Sequence, residues 1–317
     1  MTIAEISTEI LKAKSVLIFS HNRPDGDTVG SATALRLALI KKGISADLAC
    51  YHDIPEKLKY IASTSEYSKT VDKNEKYDAF IAVDCANEYM FTELYGKFCK
   101  HKNTFNIDHH VSNTRYAKFN YVEEASATCE LIFALINALS VEIDSEIATS
   151  LLTGIVTDTG AFNHSNATDK TLAIASELKS KGANLHYIMK RNFKDQSKAR
   201  AILYGKVISK MRFYLEDRVG VIVISRKDID ESGAVDNMTE GFIDYPMTVE
   251  SVEVAISLLE TGNNRYKISL RSKGKVDVNE IASIYGGGGH VQASGAVLNG
   301  YMEDVIDKLV FNVKQRL

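Results

Sequence analysis

Histidines and aspartates gather at four places in the chain. His21, Asp25 and Asp27 lie within HNRPDGDTVGS, Asp84 ends AFIAVD, Asp108, His109 and His110 end TFNID and begin the next loop, and Asp158 sits in TGIVTDTGAF. Clustered carboxylates repel one another, so such a group needs cations or shifted protonation. Aspartate and histidine without cysteine suit Mn²⁺, Co²⁺ or Fe²⁺ better than an all-oxygen Ca²⁺ or Mg²⁺ cage. The donors outnumber what one ion needs. Two ions about 3.5–4 Å apart, bridged by a shared carboxylate, would use them all and activate a hydroxide between them. Taken singly, each piece has an ordinary explanation. Asp25-Gly26-Asp27 is a turn sequence, Asp84 a strand-end cap, and His109-His110 a surface pair. A calcium loop fails, because Val29 and Ser31 stand where further ligands and a glycine are needed.

The elements that must position these residues alternate short apolar runs with longer helical patterns. SVLIFS predicts a strand, followed by a helix over about residues 28–42 with Val29, Ala32, Leu35, Leu39 and Ile40 on one face. SADLACY, AFIAVD and TFNID read as further strands, separated by segments long enough for crossovers, which predicts a parallel sheet with helices on both faces. Functional residues of such a sheet collect where the carboxyl ends of the strands open into one crevice. Three strands therefore deliver carboxylates and imidazoles to one edge. Residues 126–182 read as helical.

The basic, polar stretch over residues 187–206 reads as a solvated connecting helix, which predicts domains over residues 1–186 and 207–317. Beyond it KVISKMRFYL and RVGVIVIS read as strands, SVEVAISLLE and RYKISLRS as a hairpin about TGNN, and DVNEIASIY as a helix running into four glycines and His290. Glycines there can bring backbone N–H groups close to an anion, and Arg271 offers a planar fork suited to phosphate. The fold expected is α/β, with a parallel-sheet N-terminal domain, a smaller C-terminal α/β domain, and an active-site cleft between them.

Composition narrows the partners. With 38 Lys and Arg against 41 Asp and Glu, the net charge of −3 advertises no nucleic-acid-binding surface, so phosphates must be held by a local site. Cys50, Cys85, Cys99 and Cys129 form no CxxC pair, which argues against a zinc ribbon or disulfide framework and for a reducing cytoplasm. No apolar run approaches the roughly 18 residues of a spanning helix, and no signal peptide opens the chain, so neither a membrane nor an anchored, sensory version is expected.

The segment His21-x-x-Pro-Asp25-Gly-Asp27-x-x-Gly-Ser31, the strand-end Asp84, the triplet Asp108-His109-His110 and Thr157-Asp158-Thr159-Gly160 resemble, in order, the four motifs of the DHH phosphoesterase superfamily. GGGGHVQASGA over residues 286–296 resembles the glycine-rich signature of its DHH-associated C-terminal domain. Length and two-domain layout look most like the NrnA-type oligoribonuclease and 3′-phosphoadenosine 5′-phosphate phosphatase branch. The resemblance implies two Mn²⁺ ions, with Co²⁺ or Mg²⁺ as substitutes. His21 and Asp25 would hold the first, Asp27, His109 and Asp158 the second, and Asp84 would bridge both. His110 would stabilise charge on the attacked phosphate or protonate the leaving oxygen, and Asp108 would orient a ligand histidine. In the C-terminal domain Arg271, Gly287, Gly288, Gly289 and His290 would grip the far phosphate or sugar, which favours short substrates over long ones. The family often pairs through its N-terminal domain, which raises the expectation of a homodimer.

The implied activity is hydrolysis of very short RNA or DNA oligonucleotides and of 3′-phosphoadenosine 5′-phosphate. Cyclic di-AMP or its linear product pApA is the alternative substrate. A manganese inorganic pyrophosphatase shares the N-terminal motifs but carries a lysine- and arginine-rich signature where this chain has GGGGH. A nucleotide sensor that kept the fold would be marked by a lost ligand, and every ligand position here is filled. A processive exonuclease of RecJ type would need further nucleic-acid-binding domains.

Overall fold

The computed structural model describes residues 1–71 and 76–317. The chain divides into two compact units, Met1–Asp195 and Gln196–Leu317.

The first unit is built on six strands, β1 (Ser15–Phe19), β2 (Ser45–Ala49), β3 (Tyr67–Ser68), β4 (Ala79–Val83), β5 (Thr104–Asp108) and β6 (Phe119–Val122). Their order is β3-β2-β1-β4-β5-β6 and every pairing is parallel. The chain therefore winds outward from β1 in one direction and from β4 in the other. The reversal between these neighbours opens a crevice at their carboxyl ends, the usual ligand position in a doubly wound sheet. Alternation along β1 assigns the two layers. Val16 and Ile18 pack with α1 (Ile3–Ile10), α2 (Gly26–Lys41), α4 (Thr128–Ala138), α5 (Ser145–Asp158) and α6 (Asp169–Ser180). Leu17 and Phe19 pack on the other face with Phe91 and with Leu94 and Phe98 of α3 (Thr92–Phe98). Both faces are covered, which is why the central strands read as continuous apolar runs rather than alternating ones.

The stretch over residues 187–206 departs from the single helix that its composition predicts. α7 (Leu185–Met189) widens into one loose turn over Lys190–Lys194, Asp195 is extended, and Ser197 caps a new helix, α8 (Lys198–Ile208). Ser197 accepts the backbone N–H of Arg200, and Asp195 draws in Lys190 at 3.1 Å. A start signal inside the segment thus outweighs its uniform polarity. The helix also takes in Lys206, Val207 and Ile208, so the strand expected over KVISKMRFYL shrinks to β7 (Arg212–Tyr214). Leu203 and Val207, one turn apart, are both fully buried in the core beneath α8.

The second unit continues through β8 (Val219–Ile224), α9 (Arg226–Ser232), β9 (Val254–Gly262), β10 (Arg265–Ser272), α10 (Val278–Ile284), β11 (Gly288–His290), β12 (Ala293–Asn299) and α11 (Met302–Lys314). Its sheet runs β11-β12-β10-β9-β8-β7, antiparallel except for the β8–β9 pair. One face carries Val221, Ile256, Leu258, Ile268 and Leu270 against α10 and α11. On the other face Ile222 and Ile224 pack with α8, α9 and Phe242. Among the described residues no helix is long and apolar enough to cross a membrane.

Candidate metal centre

The crevice between β1 and β4 holds the histidines and aspartates expected there. His21 lies two residues beyond β1, and Asp25 is the N-cap of α2, its Oδ1 accepting the N–H groups of Asp27 and Thr28 at 3.0 and 3.1 Å. Capping leaves the other oxygen of Asp25 directed at the crevice, where Oδ2 stands 3.6 Å from His21 Nε2. Asp84 follows β4 directly and is almost wholly buried; its Oδ2 lies 3.5 Å from the same nitrogen. Its backbone has φ 56°, in the left-handed region that costs most side chains energy and that aspartate tolerates better than most. A hydrogen bond from Asp84 N–H to the Ile107 carbonyl, 3.0 Å, holds it there. Strain of this kind survives where the surroundings over-determine it, and it concentrates at functional sites.

His109 brings the second half of the cluster. Its Nε2 lies 3.4 Å from Asp158 Oδ2, at the end of α5, and 3.7 Å from Asp84 Oδ1. Both histidines are tied by Nδ1 to a backbone carbonyl, His21 to that of Asn22 at 2.7 Å and His109 to that of Ala125 at 3.0 Å. That bond fixes the tautomer and leaves the Nε2 lone pair facing carboxylates, the posture of a metal-ligating imidazole. The donor atoms fall into three tight sets within 4.8 Å: His21, Asp25 and Asp84; Asp27, His109 and Asp158; and Asp84, His109 and His110.

Asp27 is held from a direction that sequence spacing does not reveal. Helix α4 starts at Ala127, whose side chain cannot cap. The carboxylate of Asp27 caps it instead, accepting the N–H of Thr128 at 2.6 Å and of Cys129 at 2.9 Å. Thr128 Oγ1 in turn donates to Asp84 Oδ1 at 3.0 Å. One helix N-terminus thus fixes two carboxylates, and its partial positive charge suits them. A threonine after an uncapped helix start is the one signal for this arrangement in the sequence.

Asp108 is fully buried, and the histidine that it orients is His110, not the expected ligand His109. Asp108 Oδ1 accepts from His110 Nδ1 at 2.8 Å, while Oδ2 accepts from Asn113 Nδ2 at 2.6 Å. Asn113 also donates to the Cys85 carbonyl and to Asn106 Oδ1. The neighbour in sequence is turned away because His109 Nδ1 is already engaged with the Ala125 carbonyl.

Protonation follows this crowding. Burial, then the charges of Asp84, Asp158 and Asp25, drive the Asp27 carboxyl well above its ordinary range. Burial and Asp84 lift Asp158 to about 6. For His21, burial opposes the charged form, but Asp25 and Asp84 overcome it and raise its pKa to about 11. The Asp108 hydrogen bond raises His110 to about 9. Carboxylates forced to hold protons and imidazoles forced to keep them are groups short of positive charge. The donor set therefore fits divalent cations. Thiols stay out of it: burial pushes the nearby Cys85 and Cys129 up, leaving them neutral.

The remaining candidates, Arg271, Gly287, Gly288, Gly289 and His290, belong to the second unit. Register aligns His290, Ala293 and Arg271 across three strands, and Gly288, Gly295 and Ser269 in the next row on the same face. His290 and Arg271 therefore share one sheet face about 10 Å apart. The glycine run differs from the open anion cradle its composition suggests. Gly286 and Gly287 spend their N–H groups on the carbonyls of Ser283 and Ala282, closing α10. Gly288 and Gly289 form β11 against β12. A Cβ on Gly287 would lie 2.1 Å from the Gly295 carbonyl oxygen, and one on Gly289 would lie 2.4 Å from that of Ala293. Close strand approach is what requires those two glycines.

With the geometry established, comparison with known proteins is informative. Residues 15–155 match the DHH family, N-terminal domain, and residues 218–317 match the DHHA1 domain. A Thermus thermophilus protein named bifunctional oligoribonuclease and PAP phosphatase NrnA is 32% identical over 314 residues, 98% of this chain and 93% of its own. The Mycoplasma genitalium protein of the same name is 28% identical over 98% of this chain and 99% of its own. The crystal structure of an exopolyphosphatase-related protein from Bacteroides fragilis superposes with a TM-score of 0.89 at 26% identity, covering 99% of this chain and 95% of that one.

Proposed function

The chain belongs to the DHH family and is a phosphoesterase, and on that premise we propose that it hydrolyses very short oligonucleotides to mononucleotides and removes the 3′-phosphate of 3′-phosphoadenosine 5′-phosphate. The observation that carries the reading is the place of Asp84. It stands at the switch point of the sheet, within reach of both a His21–Asp25 pair and a His109–Asp158 pair. In this reading His21 and Asp25 hold one divalent ion, Asp27, His109 and Asp158 hold another, and Asp84 serves both. Manganese suits the mixed nitrogen and oxygen donors, with cobalt or magnesium as substitutes. Such ions supply Lewis-acid polarisation of a phosphate and a water made acidic enough to attack near neutral pH.

The side chains contribute the rest. Helix α4 keeps Asp27 and Asp84 from rotating apart. Asp108 holds His110 by Nδ1, so its Nε2 is the ring atom left to meet a phosphate. A cationic imidazole there stabilises charge on the phosphate and can hand a proton to the departing oxygen. Arg271 and His290, sharing a sheet face in the second unit, would receive a non-reacting phosphate or sugar. The full-length likeness to relatives named for both activities supports this substrate class.

The test uses purified protein with Mn²⁺ against 3′-phosphoadenosine 5′-phosphate, two- to five-nucleotide RNA, pApA, cyclic di-AMP and pyrophosphate. The expected result is release of mononucleotides from short RNA and of phosphate from the adenosine bisphosphate, both lost in Asp84→Ala. Turnover of pyrophosphate alone would overturn the nucleotide reading. Undiminished activity in Asp84→Ala would overturn the metal centre. Preference for cyclic di-AMP would move the substrate to the cyclic dinucleotides.

A further inference from the structure

The loop between β1 and α2 carries a cation that the groups above do not use. Arg23 lies two residues after His21 and two before Asp25, and it is exposed. The first unit has four arginines. Arg36 and Arg191 are paired with Glu66 and Asp195, and Arg115 donates to the Val122 carbonyl. The Arg23 guanidinium has neither an ion pair nor a hydrogen bond among the described residues.

The backbone of Arg23 is held in an unfavourable place. Its φ is 58°, a left-handed value rare for a long side chain, and the Pro24 that follows favours extended backbone at this position. Hydrogen bonds impose the conformation. Arg23 N–H donates to His52 Nδ1 at 3.0 Å, and Asn22 N–H donates to the Met90 carbonyl at 2.6 Å. Asparagine or glycine would take this conformation with less strain. Strain retained beside a functional centre points to a residue kept for its side chain.

Asn22 supplies an independent observation. Its Nδ2 donates to Glu93, whose carboxylate only accepts, and this fixes the amide. Its Oδ1 is left buried with no partner. A buried acceptor left open is costly, and it is tolerated where a ligand or a neighbouring donor can fill it. A guanidinium has five N–H donors in one plane, enough for one bond to Asn22 Oδ1 and a parallel pair to a phosphate.

Strand order says which side of a phosphate this cation meets. The sheet runs β1, β4, β5, so the Arg23 loop and the His110 loop flank Asp84 from opposite sides, about 10 Å apart. His110 Nδ1 comes within 3.8 Å of Asp84 Oδ1. A phosphate over Asp84 therefore has His110 on one flank and the Arg23 loop on the other. We infer that Arg23 is a further catalytic residue, gripping the reacting phosphate on the flank away from His110. Its planar fork stabilises the charge that builds on two non-bridging oxygens as the leaving oxygen departs. This inference rests on the reading of the crevice as the place of phosphate hydrolysis.

The test compares Arg23→Asn, Arg23→Gly and Arg23→Lys with wild type. Turnover is followed on whichever of 3′-phosphoadenosine 5′-phosphate, pApA and pyrophosphate the wild type hydrolyses, so the choice of substrate does not decide the result. Arg23→Asn should lower kcat about 100-fold or more, as loss of a donor to a developing oxyanion does, with Mn²⁺ affinity by calorimetry unchanged. Arg23→Lys keeps the charge without the fork and should recover only about a tenth of the activity. Metal-free Arg23→Asn should unfold at a higher urea concentration than metal-free wild type, because the strain is relieved. Added methylguanidinium should restore part of the turnover of Arg23→Gly and none of that of Asp84→Ala. Full activity in Arg23→Asn would overturn the inference. Lower stability together with weakened Mn²⁺ binding in that variant would overturn it too, by making Arg23 a structural part of the loop. An inactive Asp84→Ala beside a fully active Arg23→Asn removes Arg23 alone. An active Asp84→Ala removes the crevice reading and this inference with it.

Discussion

Asp84 meets three demands at once: it is buried, its backbone is left-handed, and it faces both histidine–aspartate pairs. The residue that makes this tolerable is Thr128, whose hydroxyl gives Asp84 a hydrogen bond and whose backbone N–H anchors Asp27. Thr128→Val keeps the shape and the N–H but removes the hydroxyl. Loss of a partner that only orients a ligand costs about 10–100-fold in metal affinity or activity. Calorimetric titration with Mn²⁺ should show that loss in Thr128→Val and near-complete recovery in Thr128→Ser, with thermal stability little changed. Unaltered affinity in the valine variant would make Thr128 a packing residue only. Most of the expected donors were legible because they sit where a strand ends or a helix begins, positions that residue type and apolar runs mark directly, and Asp158 because it closes the apolar helix α5. Thr128 was not, since the bonds joining it to Asp27 and Asp84 span 101 and 44 residues and exist only after folding. The partner of Asp108 was misread for a related reason: adjacency favours neither histidine, and the distant Ala125 carbonyl decides.

At the scale of elements, the candidate metal centre depends on how closely α2 and α5 approach. A Cβ on Gly154 would fall 2.3 Å from Cys129 Sγ and 2.6 Å from Asp27 Oδ1, and one on Gly30 would fall 2.4 Å from the Ser150 carbonyl. Gly154→Ala should therefore cost about 1–3 kcal/mol in urea unfolding, as overpacking does, and lower activity beyond what the stability loss explains. A stable, fully active variant would show that the helices have slack. The opposite end of α5 is set by Asp144, which caps it through the N–H groups of Glu146 and Ile147 and pairs with Lys41. Burial works against its charge, but the Ile147 hydrogen bond and Lys41 prevail and lower its pKa. Asp144→Ala should cost about 1 kcal/mol. A lowered carboxyl pKa stabilises the fold above the ordinary aspartate value of about 4, and that contribution fades as pH falls through the folded value. The gap between wild type and variant should thus be full at neutral pH and close in acid; a gap constant down to pH 2 would exclude the carboxylate as its source. Periodicity recovered the long elements well, including β1, α2, β4, β5 and the β9–β10 hairpin. It missed β3 and β6, of two and four residues, because edge strands this short carry too little pattern. It also ran α7 and α8 together, where the local signal at Ser197 outweighs composition.

On the scale of the whole molecule, each unit has its own buried core, and neither has a basic majority: the net charge of −3 falls on the first, while the second balances 16 Lys and Arg against 16 Asp and Glu. Electrostatic attraction to nucleic acid scales with the number of phosphates a protein neutralises, at a salt slope of about 0.7 per contact for single strands. If phosphate is held only through a few local groups, as proposed for Arg271 and His290, the chain should make one or two such contacts however long the strand is. A logarithmic plot of KM against salt should then have a slope of about 1 in magnitude for a dinucleotide, and nearly the same for a ten-nucleotide strand. A slope that steepens to about 4 or more with length would reveal an extended backbone-tracking groove, and with it a substrate class longer than the one proposed. The two outcomes separate because added nucleotides contribute affinity only where cations meet them. On an acidic chain those places are few, so the local sites, rather than the overall charge, must set which phosphates are recognised.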